Sequence, residues 1–137
     1  MLYRVWTGKR YLTPAELDEA EITVSHTGAL IVNNAKKIPK DVAIDIDLLQ
    51  KITVELSTGL YDGKGNEIFE GDILEFCGLH LLVVREPDKA GFDFRCARFY
   101  NNGKDVFVFD RSSVASMFKK GDIHHNIDLL SKTYNGE

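Results

Sequence analysis

Turn signals recur so closely in the second half of this chain that no element between them can be long. The runs Asp62-Gly63-Lys64-Gly65-Asn66, Glu70-Gly71-Asp72, Glu86-Pro87-Asp88 and Asn101-Asn102-Gly103 each gather residues that adopt positive φ or bond to their own backbone. Between them the apolar residues alternate. Ile52, Val54 and Leu56 are spaced by Thr53 and Glu55, and Phe92, Phe94 and Cys96 by Asp93 and Arg95. That is the period of a half-buried strand. Residues 81–85 read as a buried strand, with Glu86-Pro87-Asp88 ending it. Six short strands in about 75 residues, with turns between them, predict a small β-barrel.

The first half is also read as β-rich. Residues 3–6 form a first strand, and Thr13-Pro14-Ala15-Glu16 is a capped helix start that can run to about Ala20. Residues 21–25 and 29–33 flank Ser25-His26-Thr27-Gly28, a hairpin signal, and Val42, Ile44 and Ile46 alternate with Ala43, Asp45 and Asp47 as a further strand. Residues 112–120 can form a helical turn or two before Gly121 stops them, and a last strand should include Ile123. The expected organisation is an N-terminal meander with a short helix over residues 1–50, packed on a barrel over 51–130, with a tail at 131–137.

Composition narrows the class. With 137 residues, 44% apolar and 28% charged, the chain has the make-up of an ordinary globular domain that needs no metal or disulfide to fold. Its opening residues do not read as a signal peptide, and no apolar stretch is long enough to cross a bilayer as a helix. Two cysteines, Cys77 and Cys96, cannot build a disulfide framework, so a reducing, cytoplasmic setting is expected. Net charge is −4 and is spread along the chain, which removes any general electrostatic drive toward nucleic acid or membrane. Only the stretch 85–120 leans basic.

The run from Thr58 to Leu74, Thr-Gly-Leu-Tyr-Asp-Gly-Lys-Gly-Asn-Glu-Ile-Phe-Glu-Gly-Asp-Ile-Leu, resembles the signature of the YopX-like family of phage and prophage proteins. Tyr3-Arg4-Val5-Trp6 is similar to that family's first strand, and Gly121-Asp122-Ile123 through Leu130 to its closing segment. Phe69 stands where the family has tyrosine and Ile127 where it has proline. The resemblance implies a β-rich fold with an SH3-like barrel in the second half, in a phage or prophage protein of a bacterial host. It implies no activity. Within the signature, Thr58, Gly59, Leu60, Asp62, Gly65, Glu70, Gly71 and Asp72 read as structural. Gly59 and Gly71 suit positive φ, and Asp72 can accept backbone N–H groups at the turn.

No catalytic or metal-binding constellation stands out. Asp62 to Ile73 fails as a calcium loop, with Lys64 third, Glu67 sixth and Ile73 twelfth. Cys77 and His80, with Cys96, His124 and His125, lack a zinc spacing. No cofactor is expected. Glu70 and Asp72, two apart, could pair carboxylates beside a histidine such as His124, which is the weakest functional reading. Arg95, Arg98 and Lys104, among aromatic residues, form the candidate nucleic-acid face. The first expectation is a non-enzymatic, self-associating interaction module, acting with host or phage proteins. Its oligomer contacts should involve Tyr3, Trp6, Ile22, Val24, Leu30 and Ile31.

Overall fold

A computed structural model describes residues 3–25, 30–42, 52–88, 91–100 and 103–132, with backbone alone at 86–88, 91–93, 98–100, 103–108 and 131–132. It is mostly β, and the chain divides into two units, Met1–Leu56 and Ser57–Glu137.

In the first unit, strand β1 (Tyr3–Trp6) runs antiparallel to the first part of β4 (Thr53–Tyr61), with Val5 opposite Val54. That pairing carries the first unit past the expected boundary at residue 50, because the start of β4 is the partner β1 requires. Helix α1 (Pro14–Glu19) begins as its sequence dictates. The Glu16 N–H donates to Thr13 Oγ1 at 3.2 Å, and the Thr13 N–H donates to Glu16 Oε1 at 2.8 Å. It buries Leu17, which joins Val5, Leu12, Ala20, Ile22 and Val42 in one apolar cluster. Strands β2 (Ile22–Val24) and β3 (Leu30–Val32) form a separate two-stranded ribbon, with Thr23 opposite Ile31.

Two expectations shift here. The connector after β3 holds 3-10 turns at Ala35–Lys37 and Lys40–Val42, so Val42 enters the core from a turn and not from a strand. The remainder of that expected strand, and the hairpin turn at 26–28, lie outside the described residues.

In the second unit, the end of β4 pairs with β5 (Glu67–Phe69), and the register shifts between Ser57 and Tyr61. Gly59 sits inside that shift at φ +76°, a left-handed conformation that side chains resist. Strands β6 (Asp72–Phe76), β7 (Leu79–Asp88), β8 (Gly91–Tyr100) and β9 (Gly103–Val108) form an antiparallel meander. After helix α2 (Arg111–Val114), strand β10 (Phe118–Asp122) returns beside β6, giving the order β10-β6-β7-β8-β9. Helix α3 (Asp128–Lys132) follows. These pairings describe an open sheet and no closed barrel, so the expectation holds at the level of a mostly β, antiparallel fold.

Both faces of the meander's centre are covered. Leu74, Leu81, Val83 and Cys96 pack with Ile68, Phe109, Val114 and Met117, while Ile73 and Leu82 pack with Leu130 of α3. Double coverage explains the unbroken apolar run in β7. The turn between β6 and β7 is Cys77-Gly78, both at positive φ, the two-residue form whose twist suits a hairpin.

Residues 118–120 are strand and not helix. The Lys119 N–H donates to Asp62 Oδ2 at 2.8 Å, a tertiary bond that local helical propensity could not anticipate. Gly121 lies within β10, where a Cβ would collide with the Asn126 side chain. Ile123 falls in the turn just beyond the strand.

Candidate functional site

The signature residues converge on a fastening between the β4–β5 turn and β10. Asp62 is buried, and its carboxylate accepts N–H groups from Lys64 (2.9 Å), Asn66 (2.9 Å) and Lys119 (2.8 Å), plus the Asn66 side-chain amide (3.1 Å). Burial alone would raise its pKa, but these donors outweigh that and hold it below the ordinary aspartate range. Gly63 donates its N–H to Met117 O, and a Cβ there would meet Ala115 O and the Phe118 ring at 2.8 Å. Gly65 closes the turn at φ +84°. Thr58 donates its hydroxyl to Ile68 O at 2.7 Å, and Leu60 packs on the core.

The Glu70-Gly71-Asp72 turn is built the same way. Gly71 has φ +86°, donates its N–H to Val83 O, and accepts the Ile123 N–H. Asp72 is fully buried: its Oδ2 accepts the Phe69 N–H at 2.8 Å and lies 3.1 Å from the Lys119 ammonium. That ammonium also stands over the Phe69 ring, 5.7 Å from its centroid. Glu70 faces Arg85 at 3.4 Å. Each carboxylate thus lies beside its own cation.

His125 and His80 contact other carboxylates of this unit. His125 Nδ1 lies 3.0 Å from both oxygens of Asp122, whose Oδ1 also accepts the His124 and His125 N–H groups. His80 is 3.9 Å from Glu75. Cys77 is exposed, and Cys96 is buried with its thiol pushed up to about 12 by desolvation. Among the described residues no three His, Cys, Asp or Glu side chains are grouped to hold a metal ion, and no helix is long and apolar enough to cross a membrane.

Arg95 is half-buried, with its guanidinium donating to Phe94 O at 3.1 Å. Arg98 lies on β8 in register with Asp105, and Lys104 on β9 in register with Phe99. Positions 95 and 98 are an odd number of residues apart, so a regular strand assigns them to opposite faces.

In the first unit, Arg10 grips Glu16 at 2.7 and 2.8 Å and Asp41 at 2.7 and 3.1 Å, tying the second 3-10 turn to α1. Glu16 falls to about 2 through that guanidinium. Arg4 donates to the buried Glu55 at 2.7 Å beneath Tyr11, whose hydroxyl reaches the same oxygen at 2.8 Å. A cavity of about 190 Å³ lies among Val5, Leu12, Ile22, Leu30, Val42 and Ile52. Its polar lining residue, Thr7, already engages Arg10 through its hydroxyl, which leaves little to orient a substrate.

The surface feature of this unit is the β2–β3 ribbon. Ile22 is buried and Leu30 and Val32 pack on the core, whereas Ile31 is exposed at 42%, opposite exposed Thr23. The hairpin signal between residues 25 and 28 announced the pairing of the ribbon's two strands. Lys119 and Gly63 were not singled out by sequence; the dense turn around Gly63 was a signal, while nothing local marks Lys119.

A family model described as YopX protein matches residues 2–131. The crystal structure of protein EF1440 from Enterococcus faecalis is similar at 22% identity and a TM-score of 0.45, over 94% of this chain and 96% of that one. No match is found among the curated proteins compared with the chain.

Proposed function

We propose, from the premise that this chain belongs to the YopX family, that it is a non-enzymatic interaction module that associates with copies of itself through its N-terminal unit. The observation that carries this reading is the β2–β3 ribbon, a two-stranded sheet presenting Ile31 outward at 42% exposure. A two-stranded ribbon is marginal by itself, and a large apolar side chain on its outer face gains by burial in an interface. The charged residues of the signature support the same reading, since their side chains are committed to turns and ion pairs that hold β10 in place.

A phage or prophage role in the bacterial cytoplasm, taken from the family resemblance, belongs to this proposal. So does an SH3-like ancestry for the second unit: a four-stranded meander, a helical turn, and a last strand returning beside the first support it. Light scattering on the full chain and on Ile31→Asp tests the proposal. The full chain should be oligomeric and the variant weakened; a monomeric full chain would refute it.

A further inference from the structure

Among the described residues of the first unit, Asp18, Glu19, Glu21, Lys36, Lys37 and Lys40 are exposed and make no ion pair; a further exposed ammonium, Lys9, donates to the Asp41 backbone O at 3.2 Å. Asp18 and Glu19 end α1, and Glu21 follows it with a left-handed backbone at φ +52°. Lys36, Lys37 and Lys40 ride on the two 3-10 turns after β3. Within the same unit, Arg10 engages both Glu16 and Asp41, so ion pairing is well used where it stabilises the fold. The last turn of α1 carries acidic residues and no basic one, the reverse of what the helix dipole favours.

Backbone bonds bring the two groups to the same end of the ribbon. Ile22, which opens β2, pairs with Val32, which closes β3. Just beyond, the Asn33 N–H donates to Glu21 O at 3.2 Å and the Asn34 N–H to Ala20 O at 2.9 Å. The Asn34 side chain adds a bond to Glu19 O at 3.3 Å. An acidic group therefore lies on one side of this stitch and a basic group on the other, with Ile31 two residues away.

A surface with this layout is complementary to itself. Under a two-fold axis through the stitch, the acidic group of each copy meets the basic group of the other, twice over, around paired Ile31 side chains. We infer that the self-association proposed above, on which this rests, is a two-fold contact between copies of this chain in which Asp18, Glu19 and Glu21 of one face Lys36, Lys37 and Lys40 of the other. The apolar anchor contributes affinity, and the charges set register and orientation.

Charge reversal tests it. Lys36→Glu/Lys37→Glu makes both groups acidic, and Asp18→Lys/Glu19→Lys makes both basic. Each variant alone should self-associate about tenfold more weakly or worse, since like charges then face each other twice. An equimolar mixture should regain the wild-type oligomer mass, because every contact in the mixed pair is again opposite in sign. Circular dichroism of each variant confirms folding, and recovery on mixing itself requires folded chains. If both variants keep the wild-type mass, or stay dissociated when mixed, the charge pairing is wrong while self-association stands. If the wild type is monomeric, the underlying proposal fails first.

Discussion

The Lys119 ammonium lies 3.1 Å from Asp72, a carboxylate wholly shielded from solvent, while the same residue's N–H bonds to Asp62 at 2.8 Å. One residue of β10 thus holds both acidic turns of the signature. Removing one partner of a buried pair strands the other charge and costs about 3 kcal/mol. Lys119→Met should lower the urea midpoint accordingly without changing the slope of the transition. Asp72→Asn in the same background should cost less than it does alone, because no stranded carboxylate remains. Equal costs in the two backgrounds would contradict the pairing.

Asp62 predicts a particular acid sensitivity. Its pKa is lower folded than unfolded, so its stabilising contribution is complete above its unfolded value, about 3.9, and is lost as pH falls through the folded value. Asp62→Asn should reduce stability at neutral pH by about 1–3 kcal/mol, the range for disrupted buried hydrogen bonds. It should also flatten the fall in stability below about pH 4. Denaturant titrations across that range check both. A variant whose pH profile parallels the wild type would refute the role given to Asp62.

Gly71 and Gly63 fail for different reasons when substituted. Gly71 has φ +86°, where a β-branched residue is strained, so Gly71→Val should cost about 1–3 kcal/mol. Gly63→Ala would push a methyl against Ala115 O and the Phe118 ring, an overpacking cost of about 1–3 kcal/mol. Thermal unfolding of both variants measures this, and losses near those of an ordinary surface change would contradict the geometry.

These glycines divide what was legible in the sequence from what was not. Gly59 and Gly71 could be read as positive-φ positions because turn chemistry is local. The capping box of Thr13 and Glu16 and the pairing of β2 with β3 were readable for the same reason: caps and turn signals act over a few residues. Lys119 was not readable, since its partners Asp62 and Asp72 lie far away in sequence. Its segment resembled a helix end until those tertiary bonds made it strand. The open order of the second sheet was likewise invisible, because strand count does not specify which edges pair. For function, Ile31 was named from the sequence together with Ile22 and Leu30, and the structure separates them, because Ile22 and Leu30 pack on the core while Ile31 is exposed.

Nucleic acid should bind weakly or not at all at physiological salt. The net charge of −4 opposes binding, and positions 95 and 98 fall on opposite faces of a regular strand. A fluorescence titration with single-stranded DNA and RNA should show no saturation in the low micromolar range. Tight binding abolished by Arg95→Glu would instead make a nucleic-acid surface the primary role.

The central claim, self-association through the N-terminal unit, is tested most directly by the mass of the full chain in solution. Light scattering at micromolar concentration should return a multiple of 15.5 kDa, falling toward 15.5 kDa in Ile31→Asp. A wild-type chain that stays at 15.5 kDa throughout that range would contradict the account.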